Sequence, residues 1–125
     1  MNEKELKERT KQFALRVMNL VDALPNTVSG RAIANQLVRA GTSVGANYRS
    51  ACRGRSKAEF VAKLGIVIEE TDECGYWLEL IIDGELLPKS KVQSLHQEAH
   101  ELAAIFVVSV RTAKSSITNQ KSKMS

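Results

Sequence analysis

Apolar residues recur along this chain at spacings of three and four, in four stretches divided by short breaks. Leu6, Phe13, Val17, Leu20 and Leu24 form the first stripe and predict a helix from about Glu3 to Leu24, ended by Pro25-Asn26. A second helix is expected from Ser29, read as its N-cap, to about Arg53; Ile33, Leu37, Ala40, Val44, Tyr48 and Ala51 share its apolar side. Gly41 and Gly45 lie within it, where each costs roughly 1 kcal/mol relative to alanine, so they mark either a close helix contact or a local weakness. Gly54 breaks this helix, and Ser56-Lys-Ala-Glu59 is a capping box that opens a third. Phe60, Leu64, Val67, Thr71, Leu78 and Ile82 are its main stripe, and Gly84 stops it. After Pro88 a fourth stripe runs through Val92, Leu95, Ala99, Leu102, Phe106, Val110 and Ala113.

Helices of roughly 20–25 residues, each ~30–38 Å long and joined by tight turns, predict an all-α antiparallel up-down-up-down four-helix bundle. The bundle domain is expected over residues 1–114. Residues 115–125, mostly Ser, Lys, Thr, Asn and Gln, read as a flexible basic tail. The third helix also carries a second apolar stripe, Ala62, Ile66, Trp77 and Leu80, some 160–220° from Leu64. A monomeric bundle would leave that stripe in water, so Ile66, Trp77 and Leu80 are expected to form an oligomer interface. The competing reading packs Trp77 under a loop of its own chain.

Composition agrees with helix: 125 residues with two prolines and seven glycines. The charge pattern adds more than the net +4 does. Between Asp22 and Glu59 lie six basic residues (Arg31, Arg39, Arg49, Arg53, Arg55, Lys57) and no acid, whereas residues 59–85 hold eight acids and one base, Lys63. On a helical wheel Arg31, Arg39, Arg49 and Arg53 fall within roughly 80° of one another, opposite the apolar side. Antiparallel pairing about Gly54 sets Arg39 level with Glu69 and Glu70, and Arg31 level with Glu79, so these five are expected to form structural ion pairs. Arg49, Arg53, Arg55 and Lys57 have only Glu59 as a sequence-local acid. They are the expected nucleic-acid contacts, because guanidinium forks and ammonium groups suit phosphate oxygens.

Other chemistry is thinly represented. Cys52 and Cys74 are too few for a disulfide framework or a four-cysteine zinc site. His96 and His100 share a helix face, but Gln97 stands where a zincin has glutamate, and no Glu-x-x-His repeat accompanies Glu69, Glu70, Asp72 and Glu73. No nucleophile elbow or phosphate-binding loop is present, so neither an enzyme nor a metal or cofactor is expected. The charged N-terminus is unlike a secretory signal, and no apolar run approaches the roughly 20 residues that span a bilayer, which predicts a cytoplasmic protein without a membrane partner.

The run Arg39-Ala-Gly-Thr-Ser-Val-Gly-Ala-Asn-Tyr-Arg-Ser-Ala-Cys-Arg-Gly-Arg-Ser-Lys-Ala-Glu-Phe60, with Lys63-Leu-Gly-Ile-Val-Ile-Glu-Glu-Thr-Asp-Glu-Cys-Gly-Tyr-Trp-Leu-Glu79 after it, resembles the signature of the bacterial 23S rRNA intervening-sequence (S23) proteins. Ser43, Asn47, Arg53, Ser56, Glu59, Phe60, Glu70, Glu73 and Leu78 are the matching positions. Val44 and Tyr48-Arg49 depart from it, where many relatives carry isoleucine and an Ile-Ala-Glu-Gly run, and the lost acid raises the local positive charge. The resemblance implies a homopentameric ring without known enzymatic activity. It also extends to the accessory protein of diversity-generating retroelements, which engages nucleic acid and a reverse transcriptase. The expected partners are therefore further copies of the chain, RNA or DNA, and alternatively an acidic protein such as a nucleic-acid-processing enzyme.

Overall fold

The computed structural model describes residues 1–124, with side chains through Asn119. Four helices follow one another: α1 (Glu3–Asp22), α2 (Val28–Cys52), α3 (Lys57–Asp83) and α4 (Lys89–Met124). Each of the first three starts on a side-chain cap. The Asn2 carboxamide oxygen accepts from the Glu5 N–H at 2.8 Å, and the Ser56 hydroxyl accepts from the Glu59 N–H at 3.1 Å. At α2 the cap is Thr27, two residues before the expected Ser29: its hydroxyl accepts from the Gly30 N–H at 3.0 Å. Both hydroxyls suit the role, and the extended backbone at Thr27 is what selects it.

The end of α3 differs in a similar way. Gly84 is its C-cap in ordinary right-handed geometry, and the left-handed position after it falls to Glu85, at φ 55°. The Leu86 N–H reaches back to the Ile81 carbonyl (3.0 Å) and the Glu85 N–H to that of Ile82 (3.1 Å), the paired bonds of a Schellman ending.

Each helix packs along the next, α1 touches α4 only lightly, and the diagonal pairs stay apart: an antiparallel four-helix bundle. Phe13 and Val17 of α1, Leu37 and Val44 of α2, Leu64 and Leu78 of α3, and Leu102 and Phe106 of α4 are fully buried at its centre. Tyr48 is core, its ring centroid 5.6 Å from that of Phe106, and burial pushes its phenol pKa upward. In α3, Ile81 and Cys74 fill core positions while Ile82 is only half-buried. The two α2 glycines mark a close contact. Both are buried against α1, Gly41 over Val17 and Gly45 over Thr10, whose hydroxyl donates to the Leu6 carbonyl at 2.8 Å. Lys114 is not an end of secondary structure. The segment 115–125, expected as a tail, begins inside α4, which continues to Met124; residue 125 lies outside the described residues.

Candidate functional site

The close approach of α1 and α2 creates a shallow surface groove. Its floor is small, with Ala14, Gly45 and Ala46 over the buried Thr10, and the exposed Thr42 stands at its side. Three cations line it: Arg49 from α2, and Lys7 and Lys11 from α1. The basic positions of α1 were not singled out in the sequence, although Lys4, Lys7 and Lys11 fall within about 60° on a helical wheel. Lys7 meets Glu3 loosely, at 3.5 Å on the surface. Arg49, Arg53 and Arg55 are exposed and make no ion pair among the described residues. Arg49 in the last turn of α2 and Arg53 at its C-cap sit where the helix dipole favours positive charge.

The four expected contact residues do not gather on one face. Arg49 joins α1, Arg53 and Arg55 occupy the α2–α3 turn, and Lys57 turns the other way, its ammonium on the hydroxyl of Ser116 in α4. Lys57 is the first residue of α3, and the phase of that helix, not proximity in sequence, sets its direction.

Two arginines elsewhere, Arg39 and Arg9, are held by acids of the bundle. Arg39 reaches Glu70 at 3.2 Å and Glu73 at 2.5 Å. Glu70 was expected here, but the second acid is Glu73 and not Glu69, which stays exposed, because partners on the facing edge of α3 recur at i and i+3. The hydrogen bond from Arg39 holds the Glu73 carboxyl below the ordinary range, and the Trp77 indole N–H also donates to Glu73, at 3.2 Å. Arg31 makes no pair with Glu79. It donates to the Asn26 carboxamide oxygen at 2.8 Å, while Glu79 lies across α3 in a groove shared with His96 and His100 of α4. A pair absent from the sequence reading is the strongest by geometry. Arg9 of α1 grips Glu98 of α4 with both Nε (2.8 Å) and Nη2 (2.6 Å), largely out of solvent.

The second α3 stripe is partly open. Ile66 is 46% exposed, Leu80 is half-buried, and Tyr76, not foreseen as part of the stripe, is 54% exposed. Trp77 lies half-buried, leaning on its own core and 5.2 Å from the Tyr76 ring. On the same helix Gly65 and Gly75 face space that an added methyl would enter freely.

Among the described residues no three His, Cys, Asp or Glu side chains converge on a metal-binding point. Burial pushes the Cys74 thiol up to about 12 and raises that of Cys52, so neither supplies thiolate at neutral pH. No helix among the described residues is long and apolar enough to cross a membrane.

A family model described as "23S rRNA-intervening sequence protein" matches residues 2–107. Among solved structures, the chain is similar to a protein of unknown function from the S23 ribosomal protein family of Bacteroides thetaiotaomicron. The two share 33% identity over 83% of this chain and 96% of that one, with a TM-score of 0.74. No curated protein matches.

Proposed function

The chain belongs to the 23S rRNA-intervening sequence protein family, and from that premise we propose that it is a non-enzymatic, oligomeric bundle that binds nucleic-acid backbone, RNA foremost, through a cationic α1–α2 face. One observation carries this reading. Among the described residues Arg49 and Lys11 make no ion pair and Lys7 only a loose surface contact with Glu3, and the three stand over a floor of small residues, whereas Arg9 and Arg39 are held by acids of the bundle. Charge left over from folding, above a surface without bulk, suits a ribose–phosphate chain. Arg53, exposed at the C-cap one turn on from Arg49, and Arg55 in the turn after it add positive charge beyond the groove. No aromatic side chain lines the groove, so recognition here rests on charge and shape and not on stacked bases.

Assembly follows from the α3 stripe. Ile66, Tyr76, Trp77 and Leu80 offer an apolar strip to a second copy, and the resemblance to ring-forming relatives makes a pentamer the expected size. A ring would repeat the cationic face around its axis and multiply weak phosphate contacts. Trp77→Glu places a charge in that strip and should shift the assembly toward monomer by light scattering.

Fluorescence anisotropy with generic RNA and duplex DNA across a salt series tests the function. Affinity should fall steeply with salt, and replacing Lys7, Lys11 and Arg49 by Gln should lower the slope by about 2 to 3. Absence of binding even at low salt would overturn the reading. It would leave the alternative, an acidic protein partner such as a nucleic-acid-processing enzyme, in the manner of the accessory protein of diversity-generating retroelements.

A further inference from the structure

The positive charge of this chain does not belong to the family domain. Of its 18 basic residues, four (Arg111, Lys114, Lys121 and Lys123) follow residue 107, which leaves 14 before it against all 14 acids. The matched region, residues 2–107, is thus neutral, and the whole formal +4 resides in the segment beyond it. That segment is helix, the uninterrupted continuation of α4 to Met124. The first residue of α3, Lys57, meets Ser116, so α4 runs on for eight residues, about 12 Å, past the level at which its neighbour begins.

The faces of this extension are sorted. Val110, Ala113 and Ile117 recur at three and four and are half-buried. Arg111 and Lys114 are exposed, and with the position of Lys121 they fall within about 80° on the wheel. Between these cations lie Ser, Thr, Asn and Gln, and the last acid before them is Glu101. We infer that the α4 extension is a basic arm that runs along a nucleic-acid backbone, adding phosphate contacts that the family domain lacks. The inference rests on the nucleic-acid reading above. Charge selects a polyanion. Nucleic acid is favoured over an anionic membrane because Val110 packs on the core and Ala113 and Ile117 are half-buried, so that among the described residues of the segment Val108 alone is a large apolar side chain open to solvent, fewer than an interfacial helix inserts into lipid.

Anisotropy with a single-stranded 30-nucleotide RNA and a 30-base-pair DNA duplex separates this inference from its premise. Three proteins are compared: the parent, the groove variant (Lys7, Lys11 and Arg49 to Gln) and an arm variant with Arg111→Gln, Lys114→Gln, Lys121→Gln and Lys123→Gln. Glutamine keeps the helix-forming tendency, and far-UV circular dichroism checks it. The arm variant should lose about 2 to 3 units of salt slope, from three phosphate contacts at 0.7–0.9 each on the shared face, and should bind more weakly at low salt. A parent-like slope in the arm variant, with the groove variant impaired, would overturn the arm and leave the premise standing. Failure of the parent to bind either nucleic acid would overturn both. Binding of the parent to phosphatidylserine vesicles in place of nucleic acid, lost in the arm variant, would assign the arm to lipid and overturn the inference.

Discussion

Gly41→Ala sets two known effects against each other at the α1–α2 contact. Alanine in place of glycine inside a helix gains about 1 kcal/mol. Here the new Cβ would stand 2.8 and 2.9 Å from the two methyl carbons of Val17 and 3.0 Å from its Cβ. Val17 is fully buried and β-branched, with essentially one rotamer available in a helix, so it cannot swing aside. Overpacking of this kind costs about 1–3 kcal/mol, and three contacts at or below 3.0 Å put it in the upper half of that range. The net expectation is a loss of about 1–2 kcal/mol. Val17→Ala alone removes two buried carbons at about 0.8 kcal/mol each and leaves a cavity, for a loss of about 2–3 kcal/mol. In the double variant the added methyl enters the vacated space, so the combined loss should fall short of the sum by about 1–2 kcal/mol. Urea unfolding followed by circular dichroism at one protomer concentration measures each midpoint, with constant m as the check on a common mechanism. A Gly41→Ala protein more stable than the parent, or strict additivity in the cycle, would refute the close approach of α1 and α2 on which the cationic groove depends.

Gly75→Ala is the counterpart, since its Cβ meets nothing within 4 Å: it should raise stability by about 1 kcal/mol, and a loss of oligomer mass instead would mean that another chain crosses α3 there. Glu85→Gly relieves a left-handed residue in the Schellman ending and should add about 0.5–1 kcal/mol to the denaturant-derived stability. Arg9→Ala removes the two-point grip on Glu98 where α1 and α4 touch least, and should cost about 1–2 kcal/mol, with amide exchange rising first in α1. Glu73 is held below its ordinary 4.5 by the hydrogen bond from Arg39, so the stability it lends is complete above pH 4.5 and disappears as pH falls through the lower folded value. Arg39→Ala should therefore flatten the loss of stability below pH 4.5 in acid titrations of the urea midpoint, and an unchanged acid limb would refute that coupling.

The existence and order of the four helices, and the approximate length of the first three, were legible in the sequence because they depend on local facts: a period of three and four, breaks at Pro25, Gly54 and Pro88, and a capping hydroxyl at Ser56. Arg39 as a paired residue and Tyr48 as core were legible too, since each followed from the face on which its helix placed it. Choices between near-equivalent neighbours were not. Thr27 over Ser29 and Glu85 over Gly84 turn on the backbone dihedrals of one residue. Glu73 over Glu69, Asn26 over Glu79 for Arg31, and the turn of Lys57 toward Ser116 depend on how each helix is rotated about its axis against the next. That rotation is a property of packing, set in part by the contacts of Gly41 and Gly45 with α1, and no single helix contains it. The cationic groove is of the same kind. Its lysines and its arginine stand some forty residues apart, and each helix by itself shows only an exposed polar face. Periodicity within a helix determined which side of it is buried; only the docking of α1 on α2 decided which exposed sides meet, because a surface site between helices is made by their relative position.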